Sequence, residues 1–320
     1  MIPPIPRRAA LAAALLPVAA RAQPAYPARA VKLVVPYPAG SGPDIFGRVV
    51  ARALQDGLGG SFVVENRAGA LGMIGTTEVA RSRPDGYTLL ITTNTTQAAN
   101  VALVRNLAYD PVRDFVPVNR VATAPMMLLA RPDFPATDLA GLAAHARSRP
   151  EGLSGGYGSA ASRVSMAKLG RALGVNLVPV PYPGIPPAVN DLVGGHIALT
   201  FADLPVAVPM VRSGQLKGLG VTSPRRIAAE PAIPAIAESF PGFEVLGWVG
   251  VVAPAGIPAP ALAALSGTLD RALREPEMRA RLEAMHYEVA PLGPDAFRAY
   301  IGEEIARWTR DAAEAGIEPQ

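Results

Sequence analysis

Two apolar rhythms alternate along the chain. Short β-branched runs bounded by turn residues, "VKLVVPY" (31–37), "SFVVENR" (61–67) and "GYTLLITT" (86–93), fit buried strands. Amphipathic helical stretches separate them; the first continues to Leu54 and the second follows Arg67. This alternation predicts an α/β fold with a parallel sheet covered on both faces. Right-handed crossovers then place the loops after successive strands along one rim, where ligands bind. Near 114–134 two apolar strand candidates follow each other, as where a chain leaves one domain for another. Beyond them "DLAGLAAHARSRP" is helical, "GLSGGYGSAAS" is a second glycine-serine loop, and "VNLVPVPY" and "HIALTFADLP" are strands. Two more strand candidates in "PGFEVLGWVGVVAPAG" suit a return to the first domain. A final helix carries Phe297, Ile301, Ile305 and Trp308 on one stripe, with Glu303, Arg307 and Arg310 elsewhere.

The amino-terminal 22 residues break this rhythm. Arg7 and Arg8 precede a twelve-residue apolar run, Ala9 to Ala20, and Ala20-Arg21-Ala22 offers a small-x-small cleavage site. The run contains Pro17 and falls short of the roughly 20 apolar residues of a membrane span, so residues 1–22 read as a secretory signal peptide cleaved near Ala22. The paired arginines leave the twin-arginine and general export routes both open. Cleavage lowers the formal charge from +4 to +1, because Arg7, Arg8 and Arg21 leave with it and no acid does. No basic-aromatic patch remains, which argues against nucleic acid. With no cysteine there is neither a disulfide nor a lipid-modified cysteine, and the expected location is a bacterial periplasm.

Candidate chemistry concentrates in the turns. Gly40-Ser41-Gly42 follows the first strand, but the next glycine is Gly47, so the dinucleotide spacing fails, and no Gly-Lys-Ser/Thr follows for an NTPase phosphate loop. What remains is a strand, a turn and a helix beginning near Pro43, whose amides can hold a carboxylate or merely close a tight turn. Asp44 in the first helical turn competes with an anion there, so it either orients the loop or meets a ligand hydroxyl or amine. Thr92 to Asn100 add neutral donors and acceptors. His145, His196 and His286 lack metal-ligand spacing, and no metal or cofactor is expected. G-x-S-x-G is absent around Ser159, which reads as a loop donor. Asp203 and Trp248 are further candidates, Trp248 equally as core.

Taken in order, "YPARAVKLVVPYPAGSGPDIFGRVVARAL", "VVENRAGALGMIGTTEVARSRPDGYTLL", "YDPVRDFVPV", "VPYPGIPPAVNDLVGGHIALTFADLP", "VTSPRR" and "VVAPAGIPAP" resemble the Bug family, the periplasmic receptors of tripartite tricarboxylate transporters. The resemblance implies a two-domain clamshell, each domain a mixed, mostly parallel sheet flanked by helices, with the ligand in the cleft. Residues 27–124 and 246–320 are expected to form one domain and 125–245 the other. It further implies that one turn from each domain grips a ligand carboxylate, partly through water. Position by position this gives Pro38, Ala39, Gly40, Ser41, Gly42 and Asp44; Thr93, Asn94 and Gln97; Ser159, Ala160, Ser162 and Arg163; and Asp203. Several depart from the family pattern. Pro43 removes a hydroxyl and an amide donor, and the second turn looks about four residues shorter. Gln97 and Arg163 stand where histidines are frequent, and Asp203 where asparagine is frequent, beside Ala202 in place of aspartate. Arg163, if it faces the cleft, is the charge partner for the carboxylate; otherwise it is a surface arginine.

A helix N-terminus supplies about 0.3–1 kcal/mol to an anion, up to ~2 when partly buried, whereas micromolar affinity needs ~8 kcal/mol. Two turns closing on the ligand are therefore required, and the ligand shifts the population towards the closed form. The expected function is capture of a small organic acid and delivery to membrane transporter subunits by a monomer. The alternatives are a sensing subunit that signals through a membrane kinase, and a secreted hydrolase using Ser159 or Asp44, for which no base lies nearby in sequence.

Overall fold

The computed structural model describes residues 26–228 and 230–319; the signal peptide expected at 1–22 lies outside the described residues. Each predicted alternation of strand and helix becomes a three-stranded parallel unit. In the first, β1 (Val31–Val35) lies between β2 (Phe62–Asn66) and β3 (Thr88–Thr93), with α1 (Gly42–Leu58) and α2 (Met73–Ala80) as crossovers. A π-helical turn (Thr95–Ala99) and the short α3 (Asn100–Leu103) lead to β4 (Phe115–Ala130) and α4 (Leu139–Arg147). In the second unit β5 (Leu153–Tyr157) lies between β6 (Leu177–Pro181) and β7 (Leu199–Asp203), linked through α5 (Ala160–Leu173) and α6 (Ile185–Val193). The chain continues through α7 (Leu204–Arg212), β8 (Lys217–Val221), β9 (Leu246–Pro254), α8 (Ala259–Ala272), α9 (Pro276–Ala284), β10 (Glu288–Leu292) and α10 (Pro294–Glu314).

The two units are joined by β4. Its Phe115–Pro125 stretch pairs antiparallel with β9, which also pairs with β3, and its Met126–Ala130 stretch pairs with β7 and β8. In the first sheet β2, β1, β3 and β4 run one way against β9 and β10; in the second β6, β5, β7 and β8 run one way against β4. The molecule is thus the expected two-domain α/β fold of mixed, mostly parallel sheets.

Three local readings differ. The two strands expected near 114–134 are one strand of 16 residues; register shifts between Pro117 and Asn119 and between Arg120 and Ala122 absorb the break that proline imposes. The two strands expected near 241–256 are the single β9. The glycine-serine loop is half strand: Leu153–Tyr157 pairs on both sides, because at Gly155 a Cβ would come within 2.8 Å of the Met166 sulfur and only glycine lets α5 lie so close.

One buried cluster gathers residues between Met126 and Val245 with Ala98, Ala99, Leu103, and Trp308 and Ala312 of α10; two others fill the faces of the first sheet, one of them around Phe297 and Ile301. The apolar stripe of α10 therefore serves both sheets, and Ile305 is partly buried on it. Among these apolar residues lies the carboxylate of Glu304, accepting from Trp248 Nε1 at 2.8 Å, Trp308 Nε1 at 3.1 Å and Arg307 at 2.8 Å. No described helix is long and apolar enough to cross a membrane.

Replacing Glu304 with Leu strands two buried indole N–H groups. Urea unfolding is expected to show a loss of about 2–6 kcal/mol, since each of the two orphaned donors costs roughly 1–3 kcal/mol.

Candidate functional site

The loops leaving the carboxyl ends of β1, β3, β5 and β7 converge on a cavity of about 40 Å³. Ser41 and Pro43 reach it from the first loop, Thr93, Asn94 and Thr95 from the second, Gly158, Ser159 and Ala161 from the third, and Asp203 from the fourth. Tyr37, Trp248 and Tyr287 form much of its aromatic wall, and none of the described residues lining it is Lys, Arg or His.

The first turn is built as its sequence suggests. Ser41 caps α1 by accepting from Asp44 N–H at 3.4 Å, and Pro43 occupies the first helical turn. Asp44 folds back to orient the loop: it accepts from Gly40 N–H at 2.9 Å, Asn66 at 3.0 Å and Arg48 at 3.0 Å. Burial penalises its charge, yet these three donors outweigh that and hold its pKa below the ordinary aspartate value. Ser41 N–H turns to the Pro38 carbonyl at 3.3 Å, and Gly42 N–H donates to Asp203 across the cavity rim.

In the second turn Ser159 caps α5 and exchanges hydrogen bonds with Ser162, whose hydroxyl also takes Gly158 N–H at 3.2 Å. Ala160 N–H donates to Thr95 Oγ1 at 3.1 Å. The two turns face one cavity, but these amides are already engaged by Asp44, Asp203, Ser162 and Thr95. Donors that would otherwise await a ligand have acceptors within the protein.

Asn94 is different. It is 4% exposed and lines the cavity, and its Nδ2 has no acceptor among the described residues. Asp203 is half-buried and lines the cavity, and burial raises its pKa to about 6 against the opposing Gly42 N–H. Burial likewise pushes Tyr37 up to about 12, even with its hydroxyl 2.7 Å from Thr93 Oγ1, and raises Tyr287 well above 10; the Asp203 charge adds to both shifts.

Of the residues expected at the site, Ser41, Thr93, Asn94, Ser159 and Asp203 line the cavity; Gly42, Asp44, Ala160 and Ser162 hold those residues in place. Ala39 and Gly40 are exposed, and Pro38 packs against Gly184 of the opposite sheet's loop. Two expectations are corrected. Gln97 points into the protein, donating to the Pro111 carbonyl at 3.1 Å and accepting from Thr92 at 3.3 Å. Arg163 follows cavity-lining Ala161 by two residues on α5, about 200° round the helix. It lies instead over the Tyr157 ring at 5.6 Å, in a separate groove with Arg105 and Arg171. Residues not assigned individually in advance include Tyr37, at the end of the first strand run, Thr95, inside the Thr92–Asn100 stretch, and Tyr287, which arrives from far along the chain with no motif around it.

The family profile described as "Tripartite tricarboxylate transporter family receptor" (TctC) matches residues 46–317. Among solved structures, the periplasmic binding protein BugD is 36% identical with a TM-score of 0.88, over 92% of this chain and 100% of that one. R. palustris Rpa4515 with adipate is 34% identical with a TM-score of 0.89, over 92% and 100%. MatC (Rpa3494) from Rhodopseudomonas palustris with bound malate is 34% identical with a TM-score of 0.83, over 89% and 99%.

Asp44→Asn is expected to cost about 1.5–3 kcal/mol, the scale of hydrogen bonds to a charged group. Because the folded carboxyl titrates below its unfolded value near 3.8, its contribution is complete above about pH 4 and is lost as acid takes the pH through the folded value. Urea midpoints of wild type and variant should therefore converge at low pH.

Proposed function

Because the chain belongs to the TctC family of tripartite tricarboxylate transporter receptors, we propose that it is a periplasmic receptor that encloses a small organic carboxylate in this cavity and delivers it to the membrane subunits of a transporter. The observation that carries this reading is Asn94, a cavity-lining residue whose buried amide Nδ2 has no acceptor among the described residues. A buried unpaired donor costs roughly 1–3 kcal/mol, and a ligand oxygen removes that cost. The Ser41, Thr95 and Ser159 hydroxyls add donors around the same space. The relatives that hold adipate and malate support the choice of a carboxylate.

In this reading residues 27–124 with 246–320 form one jaw and 125–245 the other. The crossings at 124–125 and 245–246 act as the hinge. Pro38 against Gly184, Gly42 against Asp203 and Thr95 against Ala160 are the contacts of the shut form. Ligand binds the shut form more tightly and draws the population towards it, and the transporter reads that form. The chain acts as a monomer and calls for no cofactor; among the described residues no cluster of His, Asp and Glu could hold a metal.

Calorimetric titration with a panel of two- to six-carbon mono- and dicarboxylates tests the reading, which fails if none binds. Asn94→Ala should weaken the best binder by at least about tenfold, ~1.4 kcal/mol. Arg163→Ala, facing the other groove, should leave it within about twofold.

A further inference from the structure

The cavity has a feature that a site for a plain anion does not need. Asp203 brings a carboxylate into it, and no described Lys, Arg or His lines the same space to neutralise that charge. No ion pair between described residues involves Asp203; its one assigned donor is the Gly42 amide. Gly42 packs against it so closely that a Cβ there would lie 2.9 Å from its Cβ and Oδ2, and the Gly42 amide donates to it. Burial raises its pKa to about 6, as befits a carboxyl with no cation beside it.

A dicarboxylate would enter this space with two further negative charges, where the described lining residues offer hydroxyls, one amide and an indole already bonded to Glu304, and no cation. Close like charges in a water-poor cavity repel strongly. A ligand with one cationic donor removes the conflict: its ammonium answers Asp203, and its carboxylate answers the orphaned Asn94 amide. We propose that Asp203 determines specificity, and that the ligand is a small amino-carboxylate whose ammonium pairs with Asp203. This rests on the receptor reading above and narrows it.

The test uses matched acids that differ only in an amino group: L-aspartate and succinate, L-glutamate and glutarate, γ-aminobutyrate and butyrate. Each is titrated calorimetrically into the wild-type chain and into Asp203→Asn, which keeps the size and removes the charge. The amino member of at least one pair should bind wild type at least about tenfold more tightly than its partner. Asp203→Asn should bring that ratio close to one or invert it. If the amine-free acids bind wild type as well or better, or if the preference survives Asp203→Asn, the assignment is overturned while the receptor reading stands. If no acid of either kind binds, the receptor reading itself is lost and this assignment with it. Should the variant fold poorly, the wild-type ratios alone decide.

Discussion

The cavity depends on how closely Gly42 and Asp203 approach. One is the first residue of α1 and the other the last of β7, and the missing side chain at 42 is what lets the two loops touch. The Gly42 amide and the positive end of α1 face the Asp203 carboxylate, which favours its charge; burial works against it and prevails. The neighbours all serve this contact. Ser41 caps the helix, Pro43 pre-forms its first turn, and Asp44 holds the loop through Gly40, Asn66 and Arg48.

The donors facing the cavity suit reversible capture. The hydroxyls and the amide carry no charge of their own, and each bond from them to a carboxylate is worth about 1.5–3 kcal/mol. Three arginines lie together elsewhere: Arg105, Arg163 and Arg171 share a groove lined by α5, residues 175–179 and residues 315–319, apart from the loops that meet at Asp203. Without a cation lining the cavity, affinity comes from enclosure and from the fit of several such donors, so small changes in the geometry of the rim carry weight.

Much of this arrangement was legible in the residues. The alternation of β-branched runs with helical stretches located both parallel units, and Pro43 and Asp44 announced a helix start behind the glycine-serine turn. Less legible was which face of each turn a residue occupies. Arg163 and Gln97 were assigned by position within a motif, yet each lies two residues beyond a cavity-lining neighbour on a helical turn, and that offset sends the side chain away. Tyr287 and Trp248 reach the cavity through strand pairings between distant segments, which local patterns do not encode. The glycines of β5 look like loop because the need for them lies in Met166 overhead.

The pairing of β4 with β9 has a temporal consequence. The first sheet begins at Val31, but the strand that lies between β3 and β4 arrives only at Leu246, and β10 later still. Contacts so distant along the chain form slowly. A nascent chain must therefore wait for most of its length before its amino-terminal half can settle, and until then those early strands remain unfinished, with their central edge open.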